Sequence, residues 1–317
     1  MWVRHGQSRE KEGLADSQQS SHNAKPFHIQ RLPARGLACA TVPIGGVALI
    51  ARILGFFDIK FKIFAFCSSC RGIILGVGCV SSEQMDRKAL LLSQYDLFPF
   101  HSHPLWVAVL NGDLSLEQVL KAEVQHWIRT RAGRVLREDA LGSARAISPA
   151  IFEQLLETYL EECTDTTGPN HLALIERLVT RGGYTTEQLE LMEPTPGNSA
   201  AIALYRDISA RGAGCHMLGA GAVEHFYCEL SPRIFDAYVR IYGMTEEQAY
   251  TYHLHGPMDK THAERAFAVI DEAARLHGWE TVLTSVRDAF VATSLHYDGM
   301  LQAATGESRY WDGRSQK

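Results

Sequence analysis

The ten-residue stretch HLHGPMDKTH, from His253 to His262, carries the side chains of a metal site. His255, Asp259 and His262 follow the spacing H-x3-D-x2-H, and steps of three or four residues return to one face of an α-helix. Imidazole nitrogen and carboxylate oxygen together suit a borderline-to-hard transition metal. The stretch therefore predicts part of a metal site on one helix. Pro257 removes a backbone hydrogen bond and predicts a bend, so the common face is expected to hold best for Asp259 and His262.

Two further segments offer the ligands that this helix cannot supply. In LEECTDTTGPNH, Glu161 or Glu162 ends one helix and His171 begins the next. In VEHFYCELSP, Glu229 follows five residues after Glu224. Helix bundles build metal centres from facing helices, and two metals bridged by carboxylates need about six protein ligands. Three carboxylates and three imidazoles from the three segments would complete such a set.

Each of these residues also has an ordinary structural interpretation. A lone buried histidine such as His171 is usually a hydrogen-bonded core residue. The LEE segment is typical of a solvated helix face, and Glu229 can pair with Arg233. The combination of the three segments in one chain favours the metal interpretation.

The elements that must position these residues are helices. Ser115 is an N-cap signal before an apolar stripe at helical spacing, and Ser148 with Pro149 starts another helix. Thr185 to Gln188 and Thr245 to Gln248 both match the capping box. No run alternates polar and apolar residues long enough for a half-buried strand. The sequence predicts an all-α bundle of about seven to nine helices.

Composition narrows the class of partner. The 317 residues are 46% hydrophobic and 21% charged, with a formal net charge of -5. This balance gives no basic surface for nucleic acid and predicts a small-molecule partner. The seven cysteines, without regular spacing, are typical of reduced thiols and predict a cytoplasmic protein. No segment is a clean membrane span.

The first 84 residues differ from the rest. They contain VRHGQS, which imitates a histidine-phosphatase signature at His5, and a CSSC pair, Cys67 and Cys70, that could be redox-active or part of a zinc site. Helical patterning becomes continuous from Met85. We expect residues 1–84 to be an N-terminal extension outside the fold, with Met85 as the working start, and residues 85–317 to form the domain.

From about residue 90 to the end, five segments occur in an order that resembles a known family. They are HPLWVAVLNGDLSLEQV, LEE with GPNHLALIERL, GGYTTEQLELMEPT, FYCELSP and HGPMDKTH. In this order they resemble the heme-oxygenase-like diiron oxidases and oxygenases, especially the branch of the Chlamydia protein associating with death domains. Pyrroloquinoline-quinone synthase C and the TenA thiaminases are more distantly similar. The resemblance implies a heme-oxygenase-like bundle and a homodimer.

The resemblance also implies a ligand set and a reaction. Carried over by position, the iron ligands are Glu161, His171, Glu229, His255, Asp259 and His262, with Glu162 as the alternative to Glu161. Two ferrous ions, with manganese also possible, would activate O2. The expected substrate is a small amino acid or amine-derived molecule that undergoes N-oxygenation, desaturation or C–C cleavage, in natural-product or cofactor biosynthesis.

The segment AEVQHWIRTR is expected to line the substrate pocket with Glu123, His126, Trp127 and Arg131, although ordinary helix packing explains Trp127 as well. An arginine there could hold a substrate carboxylate. Tyr227 and Tyr252 lie near the expected ligands in sequence and could relay radicals or be modified. Glu123, His126 and Tyr227 are the candidate catalytic residues.

Two other classes of function remain open. The first is a metal-free enzyme on the same fold, similar to the pyrroloquinoline-quinone synthase or TenA branches, with Cys228 or Cys215 as nucleophile. The second is a non-catalytic binding protein, for which Asp259→Ala would leave function intact. The oxygen-activating enzyme predicts instead that Asp259→Ala loses both metal and turnover.

Overall fold

The computed structural model describes residues 82–166 and 168–314. Within these ranges every regular element is a helix and no strand occurs, which confirms the all-α prediction. The interpretations of His5, Cys67 and Cys70 lie outside the described residues. The first described helix begins at Ser82, and the start at Met85 stays a prediction.

The described residues form eleven α-helices, more than the seven to nine expected. The surplus is short helices, which sequence periodicity does not detect because two turns or fewer show no stripe. Two 3-10 turns, Gln94–Leu97 and Phe100–Ser102, join the first two helices. The helices are α1 (Ser82–Ser93), α2 (Pro104–Asn111), α3 (Leu116–Ile147), α4 (Pro149–Cys163), α5 (His171–Thr180), α6 (Thr186–Glu190), α7 (Pro196–Ala210), α8 (Ala213–Arg240), α9 (Tyr250–Ala268), α10 (Ile270–His277) and α11 (Trp279–Thr305).

The expected helix starts hold, with one difference. Ser115 caps α3 in a full capping box with Gln118, and Thr185 does the same for α6. Thr245 and Gln248 exchange the two capping-box hydrogen bonds, at 3.0 and 3.2 Å, but the chain forms a turn there and α9 begins only at Tyr250. The capping-box hydrogen bonds of Thr245 and Gln248 therefore form although no helix follows directly.

The long helices α3, α8, α9 and α11 contain most of the buried side chains. The helix α8 packs along α9, and α11 packs against α3, α7 and α8. A Cβ at Gly221 of α8 would collide with that of Ala266 of α9, so the two helices approach closely only because Gly221 has no side chain. This contact brings α8 and α9 close together. Glu224 and His262, each about one turn from it, therefore lie next to each other. No helix of the described residues is long and apolar enough to cross a membrane.

Candidate metal centre

The helix α9 presents His255, Asp259 and His262 on one buried face, with exposed fractions of 6%, 1% and 2%. The helix is continuous from Tyr250 to Ala268 and includes Pro257. The expected bend therefore does not separate His255 from the other two side chains. The H-x3-D-x2-H spacing alone was sufficient to place all three on one face.

The first donor group consists of Glu162, His171 and His255, whose ligand atoms lie within 4.8 Å of one another. Glu162 lies in the last turn of α4 and His171 is the first residue of α5. Asn170 caps α5 by accepting a hydrogen bond from the Ala173 amide at 3.0 Å, which fixes where His171 begins the helix. His171 Nδ1 lies 2.9 Å from Glu162 Oε2.

The second donor group consists of Glu224, Asp259 and His262, also within 4.8 Å of one another. Glu224 comes from α8 and the other two from α9. His262 Nδ1 lies 3.8 Å from Glu224 Oε1 and 3.9 Å from Glu162 Oε1, so Glu162 faces both groups. His255 Nδ1 lies 2.8 Å from Asp259 Oδ1 and links them. The two donor groups are neighbours in a single buried cluster.

Four buried atoms of this cluster have no hydrogen-bond partner among the described residues. They are Glu162 Oε1, His171 Nε2, Asp259 Oδ2 and His262 Nδ1. Native proteins satisfy nearly all buried polar atoms, because an unpaired one costs about 1–3 kcal/mol. Four such atoms together, each a metal-ligand atom, fit the donor requirement of one or two cations.

A partly buried arginine compensates part of the negative charge. Arg137 of α3 places Nη1 3.2 Å from Glu162 Oε2 and Nη2 3.8 Å from Glu224 Oε1. Burial alone would raise the pKa of Glu162, but the His171 and His255 imidazoles outweigh it and lower that pKa well below its usual range. Burial opposes ionisation of Glu224 as well, but His262 and Arg137 lower its pKa. Both glutamates are therefore carboxylates at neutral pH, as metal binding requires.

The imidazoles of α9 show that the cluster attracts positive charge. Burial opposes protonation of His262, yet the Glu224 and Glu162 carboxylates raise its pKa to about 9. Burial likewise opposes protonation of His255, and the Asp259 and Glu162 carboxylates raise its pKa to about 8. Both imidazoles are therefore protonated at neutral pH in the metal-free protein. A metal ion that binds at these nitrogens would have to displace the protons.

Two of the expected ligands occupy other places. Glu161 forms a bidentate pair with Arg265, at 2.6 and 3.0 Å, and its Oε2 lies 2.9 Å from His262 Nε2. Glu161 thus contacts Nε2 of His262, and Nδ1 of the same ring faces the cluster. Glu162, in contrast, is a member of the cluster. Glu229 is exposed and lies outside both donor groups, and Glu224 stands where Glu229 was expected. Five residues turn an α-helix by about 140°, so the two glutamates cannot share a face.

A second buried network lies on α3. The Glu123 carboxylate is fully buried and accepts hydrogen bonds at Oε1 from the hydroxyls of Tyr238 and of Tyr252, the latter at 2.6 Å. Its Oε2 lies 3.0 Å from His126 Nδ1. The His126 ring lies 5.5 Å from that of His171, centroid to centroid, so the network reaches the first donor group. Burial and the Glu123 carboxylate raise the pKa of Tyr252 well above its usual range, which keeps it a donor.

Sequence reasoning named Glu123, His126 and Tyr252 but missed Tyr238, Arg137 and the role of Glu224. Arg137 lies eight residues after Arg129 on the same helix, a rotation of about 80°, so spacing alone did not place both side chains at one cavity. Nothing in the sequence pairs Tyr238 with Glu123, which is 115 residues away.

A cavity of about 140 Å³ adjoins both donor groups. His126 and Tyr227 line it, as expected, and burial raises the pKa of Tyr227 well above its usual range, so that it is a neutral phenol. Trp127 is a buried core residue with the Arg131 guanidinium 4.9 Å from its ring, and neither lines the cavity. Glu123 does not line the cavity either, so the pocket expectation was wrong for Glu123 and Arg131, while Trp127 packs in the core as its ordinary interpretation held.

The two suggested nucleophilic cysteines do not line this cavity. Cys215 is buried, and burial raises the pKa of its thiol. Burial also raises the pKa of the Cys228 thiol, which donates to the His225 carbonyl at 3.2 Å. The cysteine that does line the cavity is Cys163, whose pKa burial raises as well. None of the three is activated as a thiolate.

Solved structures with this architecture define the fold class. The chain is similar to a CADD-like protein of unknown function from Nostoc punctiforme (TM-score 0.58, 14% identity, 71% of this chain and 99% of that one). It is also similar to a domain of unknown function with a heme oxygenase-like fold from Shewanella denitrificans (TM-score 0.55, 15% identity, 72% and 97%). A TenA homologue from Pseudomonas syringae is similar as well (TM-score 0.53, 15% identity, 69% and 91%). The fold is heme-oxygenase-like.

The family follows from the sequence match. Residues 125–291, more than half of the chain, match the family described as iron-containing redox enzymes. The chain belongs to this family. No curated protein matches it. The matched residues include both donor groups.

Proposed function

We propose that this protein is an O2-activating non-heme diiron oxidase or oxygenase. The observation that supports this most is the pair of adjacent donor groups with four unpartnered ligand atoms, inside a family of iron-containing redox enzymes. Three carboxylates and three imidazoles match the donor types and the number that two bridged ions need. Manganese accepts the same donors and remains an alternative metal.

The proposed ligands are Glu162, His171 and His255 for one ion and Glu224, Asp259 and His262 for the other. Glu162 faces both groups and is the proposed bridge. A pair of ferrous ions, when bound, supplies redox chemistry with O2 that amino-acid side chains lack.

The protein's own groups prepare this site in three ways. The three carboxylates neutralise most of the charge of two divalent ions, and burial keeps competing water out. Glu161 orients His262 through Nε2 and is itself fixed by Arg265. His126, which lines the cavity and is held in place by Glu123, is placed to hold or move a proton of the bound substrate.

The substrate proposed for the cavity is a small amino acid or amine-derived molecule that undergoes N-oxygenation, desaturation or C–C cleavage, in natural-product or cofactor biosynthesis. The volume of about 140 Å³ suits a small molecule and not a polymer. A cytoplasmic location and a homodimer also belong to the proposal. They follow from cysteine usage and from the resemblance described above.

Two glutamates on one helix provide a matched test. The full chain and its Glu224→Gln and Glu229→Gln variants would be loaded anaerobically with ferrous iron, and iron content and O2 consumption measured. We expect about two ions per chain in the parent and in Glu229→Gln, since Glu229 is exposed, and at most one in Glu224→Gln, with O2 consumption lost. Equal iron and O2 consumption in all three would contradict the proposal. A folded parent that binds no iron would favour the metal-free enzymes of this fold.

A further inference from the structure

The residue Arg129 of α3 lines the cavity and has no carboxylate partner among the described residues. Its Nη2 donates to the Tyr205 hydroxyl at 3.4 Å, and its guanidinium lies 5.1 Å from the centre of that ring. The Tyr205 hydroxyl is already bonded to Thr293 Oγ1 at 2.7 Å. Among the described residues, the Arg129 guanidinium thus has only this long hydrogen bond and the contact with the Tyr205 ring.

The neighbouring cavity arginine behaves differently. Arg137, two turns further along α3, contacts both Glu162 and Glu224. Gly133 stands midway between the two arginines, and a Cβ there would have no atom within 4 Å. The surface of α3 at Gly133 is therefore open towards the cavity. A third arginine of the lining, Arg134, is exposed to solvent. Of the two partly buried arginines of the cavity, Arg137 is neutralised by carboxylates and Arg129 is not.

The acidic groups of the cavity all lie at one end. Its acidic lining residues are Glu162, Glu224 and Asp259, all members of the donor groups. At the other end, His296 lies beside Arg129 and its pKa is well below the usual range, because of burial and then the Arg129 charge, so it is neutral. The His126 ring stands between, 5.5 Å from His171 and 5.8 Å from His296. The carboxylates of the cavity thus lie at the donor groups, where cations already face them, and Arg129 lies away from them.

A partly buried charge without a counter-ion loses hydration that no contact replaces, and a ligand of opposite charge would compensate this loss. A guanidinium presents two parallel N–H donors that match the two oxygens of a carboxylate. The remaining lining includes Trp106, Ile202, Tyr297 and Met300, which suit an apolar body between the two ends.

We propose that Arg129 binds the carboxylate of the substrate and so directs the rest of the molecule towards the donor groups. This defines the substrate class as small carboxylic acids with an apolar body, and excludes simple amines. The orientation rests on the proposed function, because it assumes that the reaction occurs at the donor groups. The binding of the carboxylate does not depend on bound metal.

The test uses the metal-free full chain and two pairs of probes, benzoate with benzamide and hexanoate with hexanamide. Each pair has the same shape and differs in charge. We expect at least one carboxylate to raise the Tm of the parent and its amide to leave the Tm unchanged. Arg129→Met should lose this response, while Arg129→Lys should keep part of it, since lysine retains the charge without the planar fork.

A second readout needs no probe. If Arg129 is an uncompensated cation, Arg129→Met should raise the Tm in the absence of ligand by about 1–2 °C, because it removes a partly buried charge at little cost in volume. Arg131→Met is the matched control, since Arg131 lies on the same helix and packs on Trp127 outside the cavity. It should keep the full response to carboxylates.

Three outcomes would overturn the proposal: no carboxylate probe stabilises the parent, the amides stabilise it equally, or Arg129→Met responds as the parent does. A lower Tm for Arg129→Met without ligand would assign Arg129 a structural role instead. Iron content separates this proposal from the previous one. Parent protein that binds iron but ignores carboxylates would reject only the role of Arg129, and parent protein that binds carboxylates but no iron would reject only the diiron site.

Discussion

The Glu123 network and the two donor groups are both buried clusters of carboxylates and histidines, but only one of them is complete. Each oxygen of Glu123 has a partner within 3.0 Å, from Tyr238 and Tyr252 at Oε1 and His126 at Oε2. The donor groups lie beside this network, with the His126 and His171 rings 5.5 Å apart, and four of their buried atoms have no hydrogen-bond partner in the described part of the chain. Similar residue types thus form a fully hydrogen-bonded network around Glu123 and an incompletely hydrogen-bonded cluster at the donor groups.

This difference gives a physical criterion for a functional site. Burial of a carboxylate is not informative alone, since a fully hydrogen-bonded group is a stable part of a core. A cluster of unsatisfied, ligand-type atoms indicates that something is expected to bind there. Substitutions should therefore destabilise the first cluster and change binding at the second.

The largest expected effect on stability is at Glu123. Glu123→Ala leaves two tyrosine hydroxyls and His126 unpaired and opens a void, and should lower the free energy of unfolding by about 3–5 kcal/mol. Urea denaturation of the iron-free protein would measure it. Tyr252→Phe removes one hydroxyl and should cost only about 1 kcal/mol. A Glu123→Ala effect below that of Tyr252→Phe would show that the network is not structural.

The next effect concerns binding. Glu161→Gln should weaken iron affinity about 10–100-fold, because Glu161 orients His262 without belonging to a donor group. Competition against a chelator of known affinity would measure this. Glu157→Gln is the control, since Glu157 also pairs with Arg265, at 3.1 Å, but makes no contact with His262. Complete loss of iron in Glu161→Gln would instead make Glu161 a direct ligand, as the family resemblance implied.

The smallest effect should have the opposite sign. Burial outweighs the pull of His255 and raises the pKa of Asp259 from 3.8 to about 6. The folded iron-free protein therefore binds this proton more tightly than the unfolded chain, and ionised Asp259 costs stability above about pH 6. Asp259→Asn should stabilise the iron-free protein at pH 8 by about 1 kcal/mol, and this gain should vanish below about pH 4.

Chemical denaturation at the two pH values would measure this effect. Glu123→Gln, a matched change in the finished network, should destabilise at both. A loss of stability in Asp259→Asn at pH 8 would remove the distinction between the clusters. Asp259→Asn should in addition lose iron, because the amide is a poor replacement for a carboxylate ligand.

Local rules were sufficient for much of this architecture. Helix class, the caps at Ser115 and Thr185, and the common face of His255, Asp259 and His262 all depend on residues within a few positions of one another. These properties are set by backbone geometry and side-chain spacing.

The choice between neighbouring glutamates could not be made in this way. Glu161 and Glu162 differ by about 100° around α4, and which of them faces the cluster depends on how α4 packs. The rotation of α8 is likewise set by the contact of Gly221 with Ala266, which brings Glu224 inward and leaves Glu229 exposed.

Iron-edge anomalous diffraction from crystals of the ferrous-loaded protein tests the central claim most directly, since it locates each ion independently of activity. Two peaks are expected per chain, one among Glu162, His171 and His255 and the other among Glu224, Asp259 and His262. Glu161 should lie behind His262 without touching a peak, and Glu229 should lie far from both. A single peak, a peak bound by Glu229, or iron outside the two donor groups would contradict the account.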